Sequence, residues 1–158
     1  MIERFGFNPD DEPYLLNRGT RQLLALASII VMEPPTIILD EPTTGLDFRE
    51  CEKVMGVVRD LNAHGTTVVM VCHDMEVVGD FAHRVIAMTQ GRVVADGNTF
   101  DVLRNEAVLK AAHILPPQVT EVSMTLDRDF ANVPTSIACA NTVEHMVSAV
   151  TQVCEGGR

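Results

Sequence analysis

Ile37-Ile38-Leu39-Asp40-Glu41-Pro42-Thr43-Thr44-Gly45-Leu46-Asp47 runs from an apolar segment straight into two adjacent carboxylates and a turn. With Thr36 in front of it, the apolar part is short and β-branched, and Pro34-Pro35 isolates it from whatever precedes. That pattern predicts a buried parallel strand whose chemistry sits at its C-terminal edge.

Working outward, Arg21 to Met32 is a run of helix formers, apolar nearly all round, which suits a helix buried on several sides. On the other flank, Asp47 and Glu50 stand in capping-box spacing, with Val54, Val57, Val58 and Leu61 on one helical face and Gly65 as the stop. Thr66 to Cys72 reads as a second strand, Asp74 as the cap of a short helix through about Asp80, and Arg84 to Met88 as a third strand. Gln90-Gly91 turns the chain into a short hairpin arm, Gly91 to Gly97, and Thr99 to about Ala112 reads as helix. Pro116-Pro117 breaks the chain, and after a polar stretch Asn141 with Glu144 offers a capping pair for a helix from Thr142 to Val153. Strand and helix in alternation predict an α/β fold, a mostly parallel sheet with flanking helices. No internal repeat occurs, and the length of 158 residues suits one domain or part of one.

Composition narrows the function. Asp and Glu number 22 against 12 Lys and Arg, a net charge of −10 that repels a nucleic-acid backbone, so no nucleic-acid partner is expected. The longest apolar stretch, Leu23 to Met32, is ten residues, against the roughly 20 a membrane-spanning helix needs. No signal peptide is read at Met1-Ile2-Glu3-Arg4-Phe5, which makes the cytosol the default. Cys51, Cys72, Cys139 and Cys154 are widely spaced and read as reduced core thiols rather than a zinc or redox pair.

The motifs follow one another in a fixed order. Val71-Cys72-His73-Asp74 comes about thirty residues after Asp40-Glu41, at the end of the next predicted strand, and Leu16-Asn17-Arg18-Gly19-Thr20-Arg21-Gln22 lies upstream of both. With Asp40 to Asp47 between them, this arrangement resembles the ABC ATPase family from about Tyr14 to Asn98. The resemblance implies a Walker B strand in which Asp40 binds magnesium and Glu41 polarises the water that attacks the terminal phosphate. It further implies a D-loop from Thr44 to Asp47 and a switch histidine, His73, on that phosphate. Leu16 to Gln22 is similar to the family's signature, commonly L-S-G-G-Q followed by a basic residue and Gln. Here Asn17 replaces Ser, Arg18 the first Gly and Thr20 the Gln, while Leu16, Gly19, Arg21 and Gln22 agree. In the family this turn offers backbone N–H groups at a helix N-terminus to an ATP held by the opposite subunit.

No G-x-x-x-x-G-K-[ST] occurs in the chain, so the P-loop that would cradle the ATP phosphates is missing. The resemblance therefore implies the later half of an ABC ATPase domain, a partial P-loop NTPase-type fold. Residues 1–112 are read as the nucleotide-binding part and 113–158 as a C-terminal tail with a helix. Pro13 to Leu16, Phe48 to Glu50 and the tail from His113 to Thr120 look like energy-coupling-factor importers. That implies ATP and Mg2+ as cofactors, a second ATPase subunit packed head to tail, a transmembrane transporter subunit, and a cytoplasmic location on the inner face of the membrane. This chain alone is expected to be inactive. The alternative reading is a non-catalytic interaction module that lends its signature face to a competent partner ATPase. A DNA-repair or chromosome-organising ATPase of the same superfamily is disfavoured by the acidic charge and the absence of heptads.

Overall fold

The computed structural model describes residues 5–156, so the signal-peptide reading, centred on the first four residues, falls largely outside it. The chain forms two compact units, one up to Cys72 and one from His73 onward.

In the first unit, helix α1 spans Arg18–Ile30, strand β1 Thr36–Asp40, helix α2 Phe48–Ala63 and strand β2 Thr67–Val71. Helix α1 starts three residues before its predicted position because the Asn17 side chain accepts from the Thr20 N–H at 2.8 Å and caps it. It buries Gly19, Leu26, Ala27 and Ile30 while Val31 and Met32 lie exposed beyond its end, so the helix is packed on one side, not on several. At Asp47 the predicted capping box is complete: Asp47 Oδ1 accepts from the Glu50 N–H at 2.8 Å, and Glu50 Oε2 accepts from the Asp47 N–H at 3.2 Å. Gly65, with φ +95°, takes the left-handed conformation that ends α2.

β1 and β2 run parallel, with Ile37 opposite Val68, Leu39 opposite Met70 and Asp40 opposite Val71. Ile37 is buried, and Leu39 shares a small cleft with Leu26, Ile29, Pro42 and Val54, so this face of the pair lies under the helices. The other face is bare: Ile38 is 71% exposed, Val69 48% and Val71 55%. The strand read as buried is therefore buried on one face only. Side chains alternate across a pleated strand, and the described residues of this unit put no cover over the Ile38 side.

In the second unit, helix α3 spans Met75–Phe81, strands β3 and β4 span Arg84–Thr89 and Arg92–Asn98, and helices α4 and α5 span Thr99–Leu103 and Glu106–Ala112. Helices α6, α7 and α8 follow at Gln118–Asp129, Thr135–Ala138 and Val143–Gly156. Asp74 caps α3 as predicted, accepting from the Glu76 N–H at 3.0 Å. The third strand does not extend the parallel pair. It forms an antiparallel hairpin with β4 through Gln90 and Gly91, both at positive φ (48° and 74°), the two-residue geometry that matches strand twist.

The single helix expected from Thr99 to Ala112 is two, because Asn105 accepts from the N–H groups of Ala107 and Val108 and starts a new helix. Helix α6 occupies the segment read as a polar stretch. The Asn141 cap is also corrected: Thr142 Oγ1 accepts from the His145 N–H at 3.3 Å, while the Asn141 side chain accepts from Arg104. Cys139 and Cys154 are exposed, and Cys51 and Cys72 half-buried, so the reading of all four as core thiols is not met. No helix of the described residues is long and apolar enough to cross a membrane.

Candidate functional site

Asp40 is the last residue of β1 and exposed, at the carboxyl edge where open α/β sheets gather their ligands. Glu41 extends the parallel pair by one bond, its N–H donating to the Val71 carbonyl at 2.9 Å. Its backbone then turns left-handed, φ +48°, a conformation that non-glycine residues adopt at an energetic cost. Thr44 fixes the outcome twice, its N–H donating to the Glu41 carbonyl at 3.2 Å and its Oγ1 to Glu41 Oε2 at 3.0 Å. The carboxylate of Glu41 is thus aimed by backbone and side chain together. Thr44 was not singled out for this role from sequence, although its i+3 spacing from Glu41 is the signal for such a turn.

Gly45 follows with φ +72° and Leu46 N–H closes a second turn on the Thr43 carbonyl at 3.1 Å, delivering Asp47 to its position at the start of α2. The signature-like residues meet this turn. Asn17 caps α1, the guanidinium of Arg18 lies over Gly45, and Gly19 is buried beneath the carboxylate of Glu50. Thr20 is half-buried with its N–H held by Asn17. Asn17, Arg18, Gly19 and Thr20 therefore meet the turn that leads into Asp47, with Gly19 buried. His73 is exposed, opens the second unit, and stands directly before the Asp74 cap of α3.

Asp40 offers the hard oxygen that a magnesium ion prefers. Among the described residues no three His, Cys, Asp or Glu side chains gather as a metal site of their own. A surface cleft of about 490 Å3, lined by Leu109, His113, Ile114 and Pro116 among others, lies in the second unit and contains none of these candidates.

Comparison with known proteins brings in the following relatives. A family model described as "AAA domain, putative AbiEii toxin, Type IV TA system" matches residues 12–79, the stretch that holds every candidate site residue. A putative ABC transporter ATP-binding protein of Caldanaerobacter subterraneus subsp. tengcongensis is 38% identical over 87% of this chain and 24% of its own length. The energy-coupling factor transporter ATP-binding protein EcfA1 of the same organism is 39% identical over 89% of this chain and 50% of its own. Among solved structures, cbiO1 from Clostridium perfringens, part of the ABC transporter complex cbiONQ, superposes with a TM-score of 0.58 at 32% identity, covering 69% of this chain and 45% of that one. The chain spans half or less of the length of each of these relatives.

Proposed function

The homologues of this chain are ABC transporter ATP-binding proteins and its fold matches ABC ATPase cassettes; from that premise we propose that it is the later half of a transport ATPase domain. Residues 1–112 supply the nucleotide-binding part and 113–158 a C-terminal tail. The observation that carries this reading is the pair at the end of β1: Asp40 exposed at the sheet edge, and Glu41 held beside it in a left-handed turn by Thr44.

In this proposal Asp40 is the protein ligand to Mg2+, which when bound neutralises charge on the ATP phosphates. Glu41 accepts the proton of the attacking water and orients it on the terminal phosphate, the work of a positioned general base. His73 hydrogen-bonds the terminal phosphate. The turns that hold Asn17, Arg18, Gly19, Thr20 and Asp47 face ATP held by a second ATPase subunit packed head to tail. A P-loop from elsewhere must complete the site, since none occurs in these 158 residues. The bare face at Ile38, Val69 and Val71 supports this, because an apolar sheet face left open to water wants a covering layer. The likeness to EcfA1 and cbiO1 supports solute import of the energy-coupling-factor kind, driven at the cytoplasmic face of the membrane through a transmembrane subunit.

The test mixes this chain with a fragment that carries the P-loop half of such an ATPase, then measures ATP binding by calorimetry and phosphate release. Binding and turnover are expected only in the mixture, and Glu41→Gln should keep binding while turnover falls by about 100-fold or more. Turnover that survives Glu41→Gln would overturn the proposal. A second reading, a non-catalytic module, is favoured by the absent P-loop; it predicts instead that the Glu41→Gln chain still stimulates a competent partner ATPase.

A further inference from the structure

Two turns of the first unit are interlocked through a pair of glycines. A Cβ placed on Gly45 would stand 2.6 Å from Arg18 Nη1 and 2.7 Å from its Cζ. A Cβ placed on Gly19 would stand 2.5 Å from Glu50 Cδ and 2.6 Å from its Oε1. Both separations are far inside van der Waals contact, so each glycine is the bare floor on which the other turn's side chain rests. The contacts cross in opposite senses: α1's first residue reaches down to the turn before α2, and α2's capping glutamate reaches back to the first turn of α1.

Arg18 is exposed, and no carboxylate among the described residues pairs with it. Its guanidinium occupies the space where a Gly45 Cβ would stand, and it is a planar group that Lys does not offer. Glu50, by contrast, is fixed by its bond to the Asp47 N–H. One side of the interlock is therefore anchored through the capping box and the other through the plate of Arg18.

We propose that Arg18 is a positioning residue: by lying over Gly45 it locks the turn from Thr44 to Asp47 to the turn from Asn17 to Thr20, so that the two are presented as one rigid surface. Its use toward nucleotide rests on the function proposed above; the interlock itself does not. Arg18 stands where the family's usual signature has glycine, so this lock belongs to this chain's sequence rather than to the common pattern.

The experiment has two arms on the full chain and one on the assembled ATPase. In a double-mutant cycle, Gly45→Ala should raise the unfolding constant about tenfold more in the parent than in an Arg18→Ala background, because truncation frees the floor. Hydrogen exchange serves where Gly45→Ala does not fold: Arg18→Ala should speed exchange of the Leu46 and Asp47 amides about tenfold and leave the β2 amides unchanged. Additive mutations together with unaltered Leu46 and Asp47 exchange would overturn the interlock. In the assembled ATPase, Arg18→Ala and Arg18→Lys should both lower kcat with KM for ATP little changed; unchanged kcat would remove the positioning role. A parent chain that never turns over would sink the function proposed above, while exchange and coupling still decide the interlock.

Discussion

Arg104 Nη1 donates to Asn141 Oδ1 at 3.0 Å, and the same guanidinium reaches Ser123 Oγ at 2.9 Å and the Ala138 carbonyl at 2.7 Å. One side chain at the end of α4 thus ties down α6, α7 and the entry to α8. Ser123 is fully buried and Thr120 Oγ1 bonds the Asn141 carbonyl beside it, so loss of the guanidinium leaves acceptors stranded away from water. Arg104→Met should destabilise the second unit by about 3 kcal/mol. Urea denaturation followed by helical circular dichroism measures it, and a loss below about 1 kcal/mol would show that the three bonds are replaced by water.

In its proposed role, Glu41 sets stability against function. A left-handed backbone costs a residue with a Cβ about 1 kcal/mol, and Asn tolerates it better than Glu. Glu41→Asn should therefore leave the melting temperature unchanged or raised, while the proposed function requires that it abolish ATP turnover in the mixture with the P-loop half. A marked fall in melting temperature would mean that the Thr44–Glu41 bond matters more to the fold than the strain does.

What the sequence made legible was local. Asp47 with Glu50, Asp74 before α3 and Gln90-Gly91 between β3 and β4 each depend on residues within four positions, and each stands where the pattern put it. Asp40 and Glu41 at a strand end followed from the same short-range logic. What escaped was non-local. Asn141 had the right spacing to cap a helix, yet its side chain is taken by Arg104, 37 positions away. Asn105 sits inside a stretch of helix formers that reads as continuous helix, and its competing bonds to the backbone split it. Ile38 is as apolar as Ile37, so periodicity makes both buried; whether a layer covers Ile38 depends on what packs there, which hydrophobicity alone cannot specify. The Arg18–Gly45 contact joins residues 27 positions apart, and no spacing rule announces it.

The hairpin carries a pH response of known sign. Arg84 grips Asp96 with two bonds, Nε to Oδ1 and Nη2 to Oδ2, both 2.7 Å. Those hydrogen bonds, opposed by desolvation and aided by the guanidinium charge, hold the Asp96 carboxyl below its ordinary value of 3.8. A depressed carboxyl stabilises the fold above its unfolded-state pKa, and the contribution is lost as pH falls through the lower folded value. On the acid side of about pH 5 the parent should thus lose stability more steeply than Asp96→Asn, with the two curves parallel at neutral pH. Because both side chains are largely in water the difference is small, and high salt should shrink it further. Identical acid slopes in denaturation midpoints would show that the pair contributes nothing measurable.

The bare face of the β1–β2 pair gives the strongest separation between fold and assembly. Ile38, Val69 and Val71 project to the side opposite buried Ile37, so charging them removes nothing from the packed interior of the first unit. Ile38→Lys should leave its stability within about 1 kcal/mol of the parent, as surface substitutions do. The same change should raise the solubility of the isolated chain, because a two-stranded apolar face is a template for self-association. If a P-loop-bearing layer covers this face in the working ATPase, Ile38→Lys should also abolish complex formation with that half, since an unpaired ammonium would be buried there. Sedimentation of the mixture decides the matter: a complex that forms equally well with Ile38→Lys would place the covering layer elsewhere, whereas a variant that folds, stays monomeric and fails to bind identifies the face as the seam along which the ATPase is completed.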